Sequence, residues 1–91
     1  MDAPREFEWN DGKAFANEAK HGVPFDYATR VFLDDSRVDL DASRSSDGED
    51  RRKIIGAIEG RLYCVVYTMR GTVCRVISAR RANGKESKAY G

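Results

Sequence analysis

The chain has little of the chemistry that small domains use to compensate for a small core. Its 91 residues include two cysteines and one histidine, too few for the four cysteine or histidine ligands of a structural zinc site. The strand register described below puts Cys64 and Cys74 on opposite faces of one hairpin. This predicts free thiols, as expected in a reducing compartment. We expect no metal and no other cofactor. A single histidine, His21, also excludes catalysis by a pair of histidines.

Long apolar runs are absent as well. No run approaches the roughly 20 residues of a membrane span, and the first residues have no signal pattern. The sequence therefore predicts a soluble, cytoplasmic protein. A chain of this length is expected to form a single compact domain, residues 1–91.

The low net charge of +1 conceals a division between the two halves of the chain. Residues 1–50 hold 6 basic and 13 acidic residues, whereas residues 51–91 hold 10 basic and 2 acidic residues, which gives −7 and +8. This asymmetry indicates a cationic surface for phosphate. The alternative, weighed equally, is that the two halves neutralise one another by packing together.

Residues 51–81 organise the fold. They form three β-branched and aromatic runs separated by the dipeptides Glu59-Gly60 and Arg70-Gly71. A two-residue connection that contains glycine is typical of a primed hairpin turn, because glycine accepts a positive φ without a clash. The pattern predicts a three-stranded antiparallel meander.

The turns fix a register, and strand side chains alternate between two faces. One face stacks three aliphatic residues across the middle of the sheet and is assigned to the core: Ile54, Val65 and Val76. The other face places Lys53, Val66 and Arg75 in one row, with Arg51 at its end. Unpaired cations disfavour a core, so this face is assigned to solvent or a ligand.

In the third strand, the alternation assigns Arg75, Ile77 and Ala79 to the cation-bearing face and Cys74, Val76, Ser78 and Arg80 to the core face. Arg80 stands at the strand end, where a β-bulge could redirect it.

The flanking segments add helices and edge strands. Residues 7–9 predict an edge strand. Asn10 or Asp11 can cap a helix that runs to about Lys20 and ends at Gly22. A second helix runs from Pro24 to about Asp34, residues 37–41 form an edge strand, and residues 82–90 contain a short helix. The four large aromatics of the first half are predicted in the core: Trp9, Phe15, Phe25 and Phe32. The order indicates an α+β fold with two helices on one face of an antiparallel sheet.

Several segments resemble the BrnT family of toxins. They are FEWNDGKAFANEAKHGVPF at residues 7–25, Gly48-Glu49-Asp50-Arg51, Ile55-Gly56, Tyr67-Thr68-Met69-Arg70-Gly71, and the segment from Arg75 to Ala82. The resemblance implies a RelE-like fold and a ribonuclease that stops translation. It also implies a cognate BrnA-like antitoxin with a ribbon-helix-helix DNA-binding domain. The complex is expected to bind operator DNA through the antitoxin and repress its own operon.

Metal-independent RNA cleavage requires removal of a proton from a 2′-hydroxyl, stabilisation of charge on the phosphorane, and protonation of the leaving 5′-oxygen. The candidate catalytic residues are His21, Glu49, Arg51, Arg75 and Arg80. The candidate substrate-binding residues are Lys53, Arg81 and Tyr90.

Three of these candidates have an alternative structural role. Glu49 is either a weak general base or a salt-bridge partner, and His21 is either a proton carrier or an ordinary cation at a helix end. Tyr90 could stack on a base or donate a proton, or it could pack on the sheet or contact the antitoxin. At the level of function, the alternatives are a non-catalytic RNA-binding module that uses the same basic face and a corepressor scaffold for a DNA-binding partner.

Overall fold

The computed structural model describes residues 3–43, 48 and 50–91. The elements in chain order are β1 (Glu6–Glu8), α1 (Asp11–His21), α2 (Phe25–Ala28) continued by a 3-10 helix (Thr29–Leu33), β2 (Val38–Asp41), β3 (Arg52–Ile58), β4 (Arg61–Arg70), β5 (Val73–Arg81) and α3 (Gly84–Tyr90). This is the α+β order that the sequence predicts. No helix in the described part of the chain is long and apolar enough to span a membrane.

The five strands form one mixed sheet in the order β1-β5-β4-β3-β2. Strands β2 to β5 pair antiparallel, but β1 pairs with β5 in parallel. The prediction of a wholly antiparallel sheet is therefore wrong at β1. A hairpin turn forces antiparallel pairing, whereas β1 and β5 are joined through the whole intervening chain, so their local sequences leave the direction open.

Helix caps follow the sequence closely. The Asn10 side chain accepts a hydrogen bond of 3.0 Å from the Lys13 backbone N–H, and Gly22 ends α1 in the left-handed region with φ of 71°. Pro24 precedes the first residue of α2. Asn83 begins α3 with a capping box whose other member is Glu86. The predicted starts of α1 and α2 are confirmed, and the short helix predicted within residues 82–90 is present, although its cap at Asn83 was not predicted. Each start is set by residues within one turn.

The first hairpin turn is confirmed and the second is displaced. Glu59 and Gly60 have φ of 51° and 80°, and Ile58 pairs with Arg61. The second turn is Gly71-Thr72, since Arg70 pairs with Val73. The predicted turn at Arg70-Gly71 is wrong by one residue. Moving a two-residue turn by one position shifts the pairing by two residues, so each side chain keeps its face.

A β-bulge then changes the faces beyond it. Tyr67 pairs with Val76, whereas the preceding residue, Val66, pairs with Ser78, so β5 has one extra residue at Ile77. One extra residue exchanges the faces of all residues that follow.

Three predictions depend on this exchange. Ala79, predicted beside the cations, is in the core. Ser78, predicted in the core, lines a depression with Arg51 on the other face. Arg80 moves to the face of Lys53, because both side chains bind Glu86. The bulge considered for Arg80 is therefore present, and the predicted row of Lys53, Val66 and Arg75 does not form.

The main core lies between the N-terminal helices and one face of the sheet. The predicted stripe of α2 and the 3-10 helix is buried there: Phe25, Ala28, Val31 and Phe32. Ile54, Val65 and Val76 are also buried in this core, but they do not form the predicted row, because the bulge makes Val65 pair with Ala79. Tail helix α3 contacts β3, and Ile55 and Cys64, which lie outside the main core cluster, are also fully buried.

Helix α1 is rotated relative to the prediction. Phe15, predicted in the core, is 80% exposed. Asn17 is buried instead, and its amide accepts from the Ala79 N–H at 3.1 Å and donates to the Ala79 carbonyl at 2.8 Å. Strand β1 pairs only with the start of β5, so Asn17 satisfies backbone groups that β1 does not reach. The side chains of residues two positions apart on a helix point in directions that differ by about 200°. Burying Asn17 therefore directs Phe15 to solvent.

The two cysteines are free, as predicted. Both are also buried, although the prediction placed Cys64 on the face assigned to solvent or a ligand. Cys74 belongs to the main core cluster, whereas Cys64 lies beside Glu86 and pairs across the strands with Arg80. Burial raises the pKa of the Cys64 thiol to about 11 and that of Cys74 to about 12. Both thiols are therefore protonated at neutral pH and weakly nucleophilic.

Candidate functional site

Three partly buried cations, Lys53, Arg75 and Arg80, lie on the sheet face opposite the main core, which is called the cation face below. Lys53 comes from β3 and the two arginines from β5. Their side chains are 29%, 26% and 33% exposed. Each is therefore partly reachable from solvent while most of its stem is packed.

Lys53 and Arg80 share one carboxylate from the tail helix. Arg80 Nη1 donates to Glu86 Oε1 at 2.7 Å and Nη2 donates to Oε2 at 2.8 Å. Lys53 Nζ donates to Oε2 at 3.1 Å, and the Asn83 backbone N–H donates to Oε1 at 3.0 Å. Such a two-pronged contact between a guanidinium and a carboxylate fixes both planes.

Glu86 is buried between these two cations. Its side chain is only 2% exposed, and the hydrogen bonds from Arg80 are the largest reason why its carboxyl pKa lies far below its ordinary value. The same bonds raise the pKa of Arg80. Glu86 and Arg80 are therefore both charged at neutral pH. Counted with the formal charge of Lys53, the cluster carries one net positive charge.

Arg75 belongs to a separate cluster. Its Nη1 donates to Glu8 Oε2 at 2.7 Å, and the Glu8 side chain is 39% exposed. The two residues are partners in the parallel pairing of β1 with β5. Arg75 and Arg80 are five residues apart on one strand, a distance of about 16 Å at 3.3 Å per residue. The cation face therefore offers two points of positive charge, whereas the sequence predicted one row.

Arg51 lies just before β3, at the side of the cation face. Its backbone N–H donates to Ser43 Oγ at 2.8 Å. Together with Val66 and Ser78, it lines a depression of about 200 Å³. The structure thus brings Arg51 to the same face as Lys53, as the alternation predicts.

His21 is the last residue of α1 and is exposed. It lies one helical turn from Asn17, whose amide binds β5 at Ala79, next to Arg80. No hydrogen bond or ion pair between His21 and another side chain is found within residues 3–43, 48 and 50–91. The helix that carries His21 contacts the strand that carries the arginines, but His21 is not joined to them.

Two predicted substrate-binding residues lie apart from the cation face. Arg81 pairs with Tyr63 and places its guanidinium 5.5 Å from the centre of that ring. Tyr63 belongs to the main core, so Arg81 lies on the face of the sheet that packs against the N-terminal helices. Tyr90 donates to Asp34 Oδ2 at 2.6 Å, and this bond is the largest reason why its pKa is raised. This bond joins the end of α3 to the residue that follows the 3-10 helix. Glu49 lies outside the described residues.

Glu86 and Glu8 are absent from the sequence-based site. The spacing of Asn83 and Glu86 matches a capping box, which predicts a helix start. Only the tertiary fold brings that helix onto the sheet and places its carboxylate between two cations. Within the described residues, no group of three or more histidine, cysteine, aspartate or glutamate side chains could hold a metal ion.

Comparison with known proteins adds one finding. A family model described as the ribonuclease toxin BrnT of type II toxin-antitoxin systems matches residues 9–86. The matched span includes Glu86 and every candidate site residue except Tyr90. No curated protein matches the chain.

Proposed function

The chain belongs to the BrnT family of ribonuclease toxins of type II toxin-antitoxin systems, and on this premise we propose that it is a metal-independent endoribonuclease that blocks translation. The observation that carries the proposal is the cation face. Lys53, Arg75 and Arg80 are partly exposed there and held by carboxylates. Fixed cations of this kind suit the charge that develops on a phosphorane, because they need little rearrangement as the reaction proceeds.

In this proposal, single-stranded RNA lies along β5 and its backbone crosses the cation face. Arg80 and Lys53 stabilise the phosphorane at the bond that is cleaved, and Arg75 binds another phosphate of the same strand. Two contact points about 16 Å apart are too distant for one phosphate but suit a backbone. Arg51 extends the site on the β3 side.

The proton transfers are assigned to two candidate residues. His21 is proposed as a proton carrier, because an imidazole exchanges protons readily near neutral pH. Glu49 precedes Arg51 and is proposed as the second candidate for accepting the 2′-hydroxyl proton. Tyr90 and Arg81 are proposed as contacts to the RNA outside the reacting centre.

The fold and the partner are proposed at the same level of detail. The five-stranded mixed sheet with its N-terminal helices supports a RelE-like fold. A type II system implies a protein antitoxin. We assign it to the BrnA-like, ribbon-helix-helix class, covering the cation face and binding operator DNA in the complex.

Expression in cells tests the function directly. The chain is expressed alone and together with the neighbouring antitoxin gene, and translation and new RNA 5′ ends are measured. The chain alone should arrest translation and create new ends, whereas co-expression should prevent both. Purified protein should cleave RNA equally well with and without a metal chelator.

Two matched variants test the site. The rate of RNA cleavage by Arg75→Ala should be at least about ten-fold lower, which corresponds to about 1.4 kcal/mol of transition-state stabilisation. Arg61→Ala removes an exposed arginine outside the site and should cleave like the parent chain. Folded Arg75→Ala protein with full activity would move the site elsewhere. RNA binding without new ends would favour the non-catalytic module.

A further inference from the structure

Glu86 is the most completely enclosed carboxylate whose contacts the described residues reveal. Its side chain is 2% exposed, and each oxygen has two donors. Oε1 accepts from Arg80 Nη1 and the Asn83 N–H, and Oε2 accepts from Arg80 Nη2 and Lys53 Nζ. No acceptor capacity is directed at solvent, so Glu86 is an interior group of the site.

The three side chains of the cluster differ in their exposure to solvent. The carboxylate is buried, while the side chains of Lys53 and Arg80 are 29% and 33% exposed. Solvent, and therefore a phosphate, can reach the side chains of Lys53 and Arg80 but hardly reaches the carboxylate of Glu86.

Stability alone gives a weak reason for such a cluster. Removing charges from water costs several kcal/mol per ion, and apolar residues of similar volume often stabilise a fold as well or better. Ile55 and Cys64 are fully buried nearby on β3 and β4. An apolar residue at position 86 would suit these neighbours but would leave Arg80 and Lys53 without a fixed orientation.

We propose that Glu86 is a positioning residue of the RNA-cleaving site, which holds Arg80 and Lys53 in the geometry that the transition state requires. The inference rests on the proposed function of the cation face. Glu86 itself is no proton acceptor in this scheme, because both of its oxygens are engaged and its pKa is lowered. It acts only through the two cations.

The test separates orientation from charge. Glu86→Gln keeps the shape of the side chain but removes one negative charge from a site that binds a polyanion. By charge alone, this change should strengthen the binding of RNA. If Glu86 positions the cations, kcat falls by at least about ten-fold, or about 1.4 kcal/mol. The Kd for an uncleavable 2′-O-methyl RNA should then be unchanged or lower.

The matched control is Glu59→Gln. Glu59 is also paired with an arginine, at 3.6 Å from Arg30, but its side chain is 69% exposed and it lies at the hairpin turn. This variant should keep the kcat of the parent chain. Glu86→Gln protein that is folded and cleaves with the parental kcat would overturn the inference.

A double variant tests whether Glu86 acts through its partner. Replacing Glu86 in an Arg80→Ala chain should reduce kcat by much less than replacing it in the parent chain, because the effects of substituting two interacting residues do not add. Equal losses in both backgrounds would overturn a positioning role. If Glu86→Gln does not fold, Glu86→Asp retains the charge one methylene further from the cations and should also lose kcat. Parental kcat in folded Glu86→Asp protein would then overturn the inference.

Failure of the proposed site has a different signature. If Lys53→Ala, Arg75→Ala and Arg80→Ala all cleave like the parent chain, the cation face is not the active site and the inference falls with it. If those variants lose activity and Glu86→Gln does not, only the positioning role is wrong.

Discussion

The carboxylate partners distinguish cations that look alike in the sequence. Arg75 is paired with Glu8, whose side chain is 39% exposed, whereas Arg80 is paired with Glu86, whose side chain is 2% exposed. Deleting Arg75 leaves the Glu8 carboxylate hydrated, whereas deleting Arg80 leaves the Glu86 carboxylate buried without its main partner. The sequence alone predicts that either arginine can be replaced with little loss of folding. The structure predicts a larger loss of stability for replacement of Arg80 than for replacement of Arg75.

We therefore expect different stability costs for the two alanine variants. Arg75→Ala should lower the free energy of unfolding by about 1 kcal/mol, because the carboxylate of Glu8 that it leaves behind stays hydrated. Arg80→Ala should cost about 1.5–3 kcal/mol or more, because a buried carboxylate loses two charged hydrogen bonds. Urea unfolding of both variants, with Arg61→Ala as the exposed control, measures the difference. Equal costs would show that Glu86 is as well hydrated as Glu8.

The same burial predicts a pH dependence. The folded pKa of Glu86 lies below its ordinary value of 4.5, chiefly because Arg80 donates to it. Its contribution to stability is therefore complete above about pH 4.5 and is lost as the pH falls toward the folded pKa. The Glu86→Gln variant has no carboxylate to protonate at this position.

Unfolding measured between pH 7 and 3 should therefore show a stability difference between the parent chain and Glu86→Gln that shrinks below pH 4.5. Comparing the two chains cancels the effects of the other carboxyl groups. A difference that stays constant over this range would mean that Glu86 has an ordinary pKa in the folded protein.

At the level of helices and strands, the sequence predicts what short-range chemistry determines. The caps at Asn10 and Gly22 and the turn at Glu59-Gly60 each depend on a few adjacent residues. The direction of β1 and the exposure of Phe15 depend on partners far away in the chain. The apolar periodicity of a single helix or strand does not indicate which distant segments it will contact.

The β4-β5 hairpin illustrates the limit. Both Arg70-Gly71 and Gly71-Thr72 offer glycine to a two-residue turn, and the local pattern does not separate them. The bulge near Ile77 adds a second ambiguity. For the site, this means that the cations could be predicted, but their grouping into two clusters could not. The carboxylates of Glu8 and Glu86 come from elements at the two ends of the chain.

Strand β3 meets the 3-10 helix at a glycine. A Cβ built on Gly56 would lie 2.9 Å from the Val31 Cβ and 2.9 Å from the Val31 carbonyl oxygen. Gly56→Ala should therefore force the helix from the sheet and cost about 1–3 kcal/mol. The control is Gly84→Ala at the first position of α3, where no atom lies within 4 Å of an added Cβ.

Gly84→Ala should be neutral or stabilise the chain by up to about 1 kcal/mol, because alanine favours a helix. Urea midpoints of the two variants provide the comparison. A Gly56→Ala chain as stable as the parent would show that the 3-10 helix can move without loss of packing.

Over the whole molecule, the two oppositely charged halves of the sequence are partly interleaved. Glu8 binds Arg75, and Asp39 binds Arg52 at 2.9 Å, so acidic residues of the first half neutralise basic residues of the second. The Glu86 cluster keeps one net positive charge within the second half. The packing interpretation of the charge asymmetry therefore holds in part, because acidic residues of the first half neutralise some cations of the second half. A cationic surface for phosphate stays a prediction.

This distribution predicts how the antitoxin binds. A partner that covers the cation face with an acidic segment is drawn to it by long-range attraction, which raises the association rate more than it changes dissociation. Raising the salt concentration from about 0.1 M to about 1 M shortens the screening length from about 10 Å to about 3 Å. The association rate should therefore fall steeply with salt, while the dissociation rate changes little.

Rate measurements on immobilised toxin, with Arg75→Ala and Arg61→Ala as a matched pair, test this interface. Arg75→Ala should slow association at low salt more than Arg61→Ala, because only Arg75 lies on the covered face. The two variants should converge at high salt, where charge no longer guides the encounter. An association rate that is indifferent to salt and to Arg75 would place the antitoxin on an apolar surface, for which exposed Phe15 on α1 is the first residue to replace. Inhibition would then require that binding at α1 alters the site from a distance, since α1 reaches β5 through Asn17 and Ala79.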